Sequence, residues 1–193
     1  MEKKNNLFIF ITIISLFMIL PSTVNAKVYG GKFTRGISRV SYYIDYKSGT
    51  GYYERLIIDA EHNWENPGWT SSVNMVAASS NKGTMLDIYT TDKTFWGGST
   101  NILGETFFYD SKGKDIGVPY SQNYIFTRIY LNDTAMHNYS ATKDRHVIIH
   151  EMGHAFGLDH NINANSIMYP EVQGCNVDYV QQMDINDVNN LYK

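Results

Sequence analysis

The sequence predicts a single-domain protein of the α/β (α+β) class, built around one mixed sheet. Its predicted elements follow the order strand, helix, several strands, helix, irregular segment, helix. A chain of 193 residues that is 43% hydrophobic is long enough to bury one sizeable core. We find no internal repeat, low-complexity tract or linker that would divide it.

The strands and the first helix are predicted from short apolar patterns. β-Branched and aromatic runs predict strands at 40–46, 74–78, 85–90, 102–109 and 126–132. Between the first two strands, apolar residues recur at helical spacing. They are Tyr53, Leu56, Ile57, Ala60 and Trp64. The sequence Asn-Pro-Gly at 66–68 ends this helix.

Two further helices are predicted in the second half of the chain. Ser140 or Thr142 can cap the first of them. Its buried side is formed by Val147, Ile148, Met152, Ala155 and Phe156. A loop rich in Asn and Gly then runs from 157 to about 182, and a short helix closes the chain at 184–192.

Composition excludes several classes of protein. A charged fraction of 18% and mixed composition exclude a disordered chain, a collagen-like repeat and a coiled coil. A formal net charge of −3 provides no basic face, so we expect no nucleic-acid partner. The single cysteine, Cys175, excludes an internal disulfide framework and a cysteine-rich zinc finger.

The N-terminal segment predicts a secretory signal peptide at 1–26. Two lysines precede an apolar run of 14 residues at 7–20, and small residues at 24 and 26 suit a signal peptidase. As a helix the run spans only ~21 Å, against a hydrocarbon core of ~30 Å. We therefore expect a secreted domain at 27–193 without stable membrane association; an uncleaved anchor is the alternative.

The segment HEMGHAFGLDH has the spacing of a metal site. On a helix, His150 and His154 lie on one face, and Glu151 lies beside them, able to reach a metal-bound water. Gly157 lets the chain leave the helix, so that a turn can return His160 as a third ligand. Three imidazoles leave a fourth position for water, which is typical of a catalytic zinc site. The alternative is a helix whose histidines are only solvated or capped.

This segment, followed by Ser-Ile-Met-Tyr-Pro at 166–170, resembles the metzincin zinc endopeptidases. The sequence around Met168 and the closing segment at 184–192 are most similar to those of the matrixin branch. The resemblance covers about 150–192. It implies a twisted mixed sheet with an antiparallel edge strand, an active-site helix, a methionine-bearing turn (Met-turn) and a C-terminal helix. It also implies one catalytic Zn²⁺, with Met168 as apolar support beneath the ligands.

The resemblance implies a secreted, monomeric endopeptidase that acts on proteins or peptides. Glu151 would take a proton from the zinc-activated water and pass it to the leaving amine. The substrate would lie extended along an edge strand at 101–107. The residues implied at the substrate pocket are Leu103, Gly104, Glu105, Tyr169, Pro170, Glu171 and Val172.

The sequence also departs from the matrixin pattern. No cysteine precedes the motif, so latency through a propeptide cysteine is not supported. Because no histidine lies between His62 and His137, we expect no second zinc. His146 is interpreted as a surface residue or as a support for the ligands. The resemblance also places Cys175 in the loop beside the pocket. Its thiol could be reactive, but we favour an inert free cysteine.

Calcium is left open. Asp92, Asp110 and Asp115 lie in predicted loops and could bind Ca²⁺, although turns collect aspartate for their own hydrogen bonds.

Two other functions compete with proteolysis. One is a non-catalytic secreted binding module that keeps metzincin architecture and zinc; the other is a zinc hydrolase of non-peptide substrates. A purely structural zinc site has no use for a general base, so Glu151 argues against the first.

Overall fold

The computed structural model describes residues 27–45, 51–170 and 174–193. The predicted signal peptide lies outside these residues. Within them, no helix is long and apolar enough to cross a membrane. The elements, numbered in chain order, are β1 (Val40–Ile44), α1 (Gly51–Glu65), β2 (Met75–Ala77), β3 (Leu86–Thr91), β4 (Gly104–Tyr109), β5 (Phe126–Asn132), α2 (Asp133–Met136), α3 (Ala141–Ala155) and α4 (Gln182–Leu191).

The five strands form one mixed sheet in the order β2-β1-β3-β5-β4. Every neighbouring pair is parallel except β4 and β5, which are antiparallel, with Gly104 opposite Leu131 and Tyr109 opposite Phe126. The antiparallel strand lies at the edge of the sheet. The predicted fold class and the antiparallel edge strand are therefore confirmed.

The two long helices pack against each other through their apolar sides. All five residues of the predicted stripe on α1 are buried. The indole of Trp64, which is fully buried, donates a hydrogen bond to the carbonyl of Ile149 at 3.0 Å and lies edge-on to Phe156. This packing fixes α3, which carries the candidate site, against the core.

Several element bounds differ from the predicted ones. β4 begins at Gly104 rather than at 102, and β2 has only three residues. The short helix α2 was not predicted; it begins directly after β5, where the side chain of Asn132 accepts a hydrogen bond from the amide of Ala135. One helical turn leaves no periodic apolar pattern, so its signal is only the capping residue.

Candidate active site

Three histidines converge at the end of α3. Ser140 caps the start of this helix, and its periodicity places His150 and His154 one turn apart. Their ligand atoms and those of His160 all lie within 4.8 Å of one another. The ring centroids of His150 are 4.6 Å from His154 and 5.3 Å from His160. The structure therefore brings together the three residues that the spacing singled out.

A turn at Gly157 returns His160 to the helix. Gly157 has a φ of +98°, a backbone conformation that glycine adopts freely but that is strained for residues with a side chain. Its amide donates to the carbonyl of His154 at 2.8 Å, and the amide of Leu158 donates to that of Gly153. Asp159 then accepts a hydrogen bond from the His160 amide at 2.8 Å. Only with this turn does a residue six positions beyond His154 face the same point.

The hydrogen bonds of the two helical imidazoles leave one nitrogen of each ring free. Nδ1 of His150 lies 2.8 Å from the carbonyl oxygen of Ile167, and Nδ1 of His154 lies 2.8 Å from that of Leu158. A carbonyl only accepts, so each Nδ1 carries the proton and each Nε2 keeps its lone pair. This tautomer is the one that binds a metal ion, and the donor set fits zinc.

Burial keeps the three imidazoles neutral. Desolvation, with the neighbouring ring of His154, lowers the pKa of His150 well below its ordinary value. Desolvation lowers the pKa of His154 to about 4 and also lowers that of His160, whose side chain is more exposed. Neutral imidazole is the form that binds a metal, so all three are ready to bind near pH 7.

Glu151 lies between α3 and the edge strand β4. It is buried, and one carboxylate oxygen accepts a hydrogen bond of 2.7 Å from the hydroxyl of Thr106. A Cβ on Gly104 would lie 2.9 Å from Cγ of Glu151, so the strand approaches the carboxylate only because residue 104 has no side chain. Desolvation raises the pKa of Glu151 to about 7, although the Thr106 hydrogen bond opposes it.

The methionine-bearing turn packs beneath the helical histidines. Met168 is fully buried, and its sulfur fills the space beside Gly153, where any side chain would overlap it. The turn is tied to α4 by Asp184, which accepts hydrogen bonds from the Ser166 hydroxyl at 2.5 Å and the Ile167 amide at 3.2 Å. Since Ile167 in turn holds His150, Asp184 supports the site through the turn.

A cleft of about 510 Å³ opens beside the histidines. Four of the predicted pocket residues line it: Leu103, Gly104, Tyr169 and Pro170. Glu171 and Val172 lie outside the described residues. Glu105 is exposed and is not among the residues that line this cleft, so its place in the substrate pocket stays a prediction. Successive strand residues point to opposite faces of a sheet, and on β4 it is Gly104, the residue before Glu105, that faces Glu151.

Three residues at the cleft were missed or misjudged from the sequence. His146 is 1% exposed rather than at the surface, lines the cleft and stacks parallel to His150 at 6.5 Å between ring centroids. Tyr139 lines the same wall. Asn132 donates from its amide to the carbonyls of Ser99 and Ile102, which anchors the opposite wall. Only the one-turn spacing of His146 from His150 was a sequence signal for any of them.

The candidate calcium ligands bond to their own loops. The carboxylates of Asp92, Asp110 and Asp115 accept hydrogen bonds from amides two residues ahead. This is the local pattern by which aspartate stabilises turns. Calcium binding there stays a prediction.

Cys175 is buried, and its thiol lies 3.2 Å from the carbonyl oxygen of Ser166. Burial raises the pKa of the thiol, which favours the inert interpretation.

Fold and site together define a class, the mixed-sheet proteins in which one helix and its following turn bring three histidines together as a candidate metal site. The sequence model of the matrixin family of peptidases matches residues 45–193. The chain belongs to that family, as the resemblance implied. No curated protein matches the chain at a significant level. The match begins after β1, so residues 27–44 lie outside it.

Proposed function

We propose that this protein is a secreted zinc endopeptidase that cleaves peptide bonds of proteins or peptides. The observation that carries the proposal is the convergence of three neutral imidazoles within 4.8 Å, beside the buried carboxylate of Glu151. Family membership supports a zinc metalloprotease. His150, His154 and His160 would hold the ion. When bound, zinc supplies a Lewis acid that acidifies a water molecule and polarises a carbonyl group.

Glu151 is the proton carrier in this proposal. A group whose pKa is about 7 can accept a proton and give it back at neutral pH. The Thr106 hydroxyl bonds only one of its oxygens, so the other can face a water molecule. Glu151 would take a proton from the water molecule that attacks the carbonyl carbon and would deliver it to the amine nitrogen as the C–N bond breaks.

The edge strand β4 is the binding surface for an extended substrate. In the sheet it pairs with β5, and at Phe108 and Tyr109 its outer edge is already bonded to residues 115–116. The outer edge before Phe108 would pair with a peptide backbone. That edge borders the cleft, where Gly104 faces Glu151. Tyr139, His146 and Val147 would receive the substrate side chain that enters the cleft.

The remaining parts of the proposal concern the state of the protein. We propose that residues 1–26 are removed as a signal peptide and that 27–193 act outside the cell as a monomer. The apolar run at 7–20 and the small residues before Lys27 support this. Mass spectrometry of the protein recovered from the medium tests it, with Lys27 expected as the first residue.

Peptide-library cleavage tests the activity. The purified protein should cleave peptides, lose activity to a chelator and regain it with Zn²⁺. Glu151→Gln should keep one zinc per chain but lose cleavage by at least about 10²–10⁴-fold, because it cannot accept the proton. Glu54→Gln is the matched control, since this glutamate lies on α1 and does not line the cleft. Equal cleavage by Glu151→Gln and the parent would defeat the proposal. Zinc binding without any cleavage would favour the binding module.

A further inference from the structure

The N-terminal strap, defined as residues 27–29, pairs with the turn that carries His160. The amide of Tyr29 donates to the carbonyl of Gly157 at 2.9 Å, and the amide of Asp159 donates to that of Lys27 at 2.7 Å. An ion pair of 3.2 Å joins the ammonium of Lys27 to the carboxylate of Asp159. The strap lies outside the residues matched by the family model, yet it contacts the site directly.

The strap places the side chain of Tyr29 against His154. The tyrosine is 9% exposed, and its hydroxyl oxygen lies 2.9 Å from Nδ1 of His154. The two rings stack with centroids 5.7 Å apart. Phe108 and Tyr120 hold the tyrosine ring edge-on from the other sides. The position of Tyr29 is therefore fixed by both backbone and side-chain contacts.

Nδ1 of His154 thus has two oxygen neighbours, the Leu158 carbonyl and the Tyr29 hydroxyl. The carbonyl fixes the proton on Nδ1, and the hydroxyl oxygen can accept a share of the same N–H. Burial, with the charges of Asp159 and Glu151, raises the pKa of Tyr29, so the phenol stays neutral. A neutral hydroxyl on the far nitrogen orients an imidazole without competing for the metal.

We propose that Tyr29 is a positioning residue for His154: through the strap, it holds this imidazole in the orientation that directs Nε2 towards the zinc ion. The inference rests on the proposed function, because it takes the three histidines as zinc ligands. It assigns to the N-terminal strap a role in retaining metal.

Zinc affinity of the protein purified after expression of the full sequence tests this role. Tyr29→Phe keeps the ring and removes only the hydroxyl. We expect its Zn²⁺ dissociation constant, measured by chelator competition, to rise about 10-fold or more. The visible absorption bands of the Co²⁺-loaded variant should also shift, because the geometry around the ion changes. Tyr120→Phe is the matched control. It also removes one tyrosine hydroxyl and keeps the ring, but this residue is 63% exposed, so the zinc affinity and the cobalt spectrum should not change.

Each outcome separates a metal-directed role from packing. Unfolding of the zinc-free proteins in urea gives the packing contribution. If Tyr29→Phe loses stability while its zinc affinity and cobalt spectrum match the parent's, Tyr29 only packs and the inference is overturned. A parent that binds zinc but cleaves no peptide refutes the proteolytic function alone. A parent that binds no zinc refutes both proposals.

Discussion

The three histidines are held by two regions of different construction. We call α3 the helix half of the site. It buries His150 and His154 on one face, and the backbone periodicity of the helix sets their spacing. We call the turn at 157–160, together with the neighbouring Met-turn, the loop half. It carries His160, which is exposed. The turn is held by the N-terminal strap, and the neighbouring Met-turn is held by α4. Helix periodicity sets the spacing of the first two imidazoles, whose rings are then oriented by Ile167 and Tyr29. The third imidazole depends on distant contacts for its place along the backbone as well.

We expect changes in the loop half to reduce zinc affinity and stability together. Changes in the helix half away from its histidines should alter stability alone.

Asp184→Ala should have the largest effect. It removes the acceptor of hydrogen bonds from Ser166, Ile167 and Gln181, and it leaves the first two donors buried and the third half-buried. At about 1–3 kcal/mol for each unsatisfied group, we expect the free energy of unfolding to fall by about 4 kcal/mol. Urea unfolding of the zinc-free protein measures it. Asp184→Asn keeps the shape and one acceptor oxygen, and should lose about half as much. Parent-like stability in both variants would show that α4 does not hold the Met-turn.

Asp144→Asn tests the helix half by its pH dependence. Asp144 lies at the start of α3, 2% exposed, with one oxygen bonded to Tyr52 and the other buried without a hydrogen bond. Desolvation raises its pKa to about 6, and the nearby charge of Asp133 adds to this. Between pH 4 and 6 the folded state holds more protons than the unfolded state, so this carboxyl makes the protein less stable as pH rises.

Asparagine at position 144 carries no ionisable group, so the variant does not lose this stability as pH rises. We expect the stability of Asp144→Asn relative to the parent to grow by up to about 3 kcal/mol from pH 4 to pH 7. Zinc affinity at pH 7 should stay the same, because the helix still places its two histidines. A difference in stability that is constant across this pH range would contradict the assignment.

Gly157→Ala tests the loop half. Alanine at this position must adopt a φ of +98°, and its Cβ would lie 2.6 Å from a methyl group of Leu191. We expect a loss of about 2 kcal/mol in stability and weaker zinc binding, because His160 moves with the turn. Gly36→Ala is the matched control: its φ is +73° with nothing within 4 Å of the new Cβ. It should cost about 1 kcal/mol and leave zinc affinity unchanged. Identical zinc affinities in the two variants would remove the distinction between the halves.

Thr106→Val should have the smallest effect. It keeps the side-chain shape but removes the hydroxyl that donates to Glu151 at 2.7 Å. That hydrogen bond lowers the pKa of the carboxyl, so the variant should raise it. If the lost hydrogen bond is worth about 1.4 kcal/mol, the acidic limb of the pH profile of kcat/KM should move up by about one pH unit, with a loss at pH 7 of about 5-fold. An unmoved limb would mean that Thr106 does not tune Glu151.

The sequence predicted the locally determined parts of the molecule. The strand at 126–132 has the predicted bounds, and the helix that carries HExxH is present, because both give regular apolar patterns. Tyr29 was not predicted, since it lies 125 positions from its histidine partner. Asp184 was predicted only as part of a helix, although it reaches the Met-turn. No periodic pattern encodes contacts of this kind.

The placement of Glu105 shows another limit. The edge strand was correctly located, but sequence alone did not assign which side of its pleat faces the cleft. The structure settles this through the register with β5, where Glu105 pairs with Tyr130. A shift of one residue reverses every side chain of a strand, so pocket residues on strands need the register.

X-ray absorption at the zinc edge of the purified, metal-loaded protein tests the central claim most directly. We expect three imidazole nitrogens at about 2.0–2.1 Å and one further light atom, with no sulfur ligand. The helix half supplies two of these nitrogens and the loop half the third. A spectrum with two imidazoles, or with a sulfur at about 2.3 Å, would contradict it.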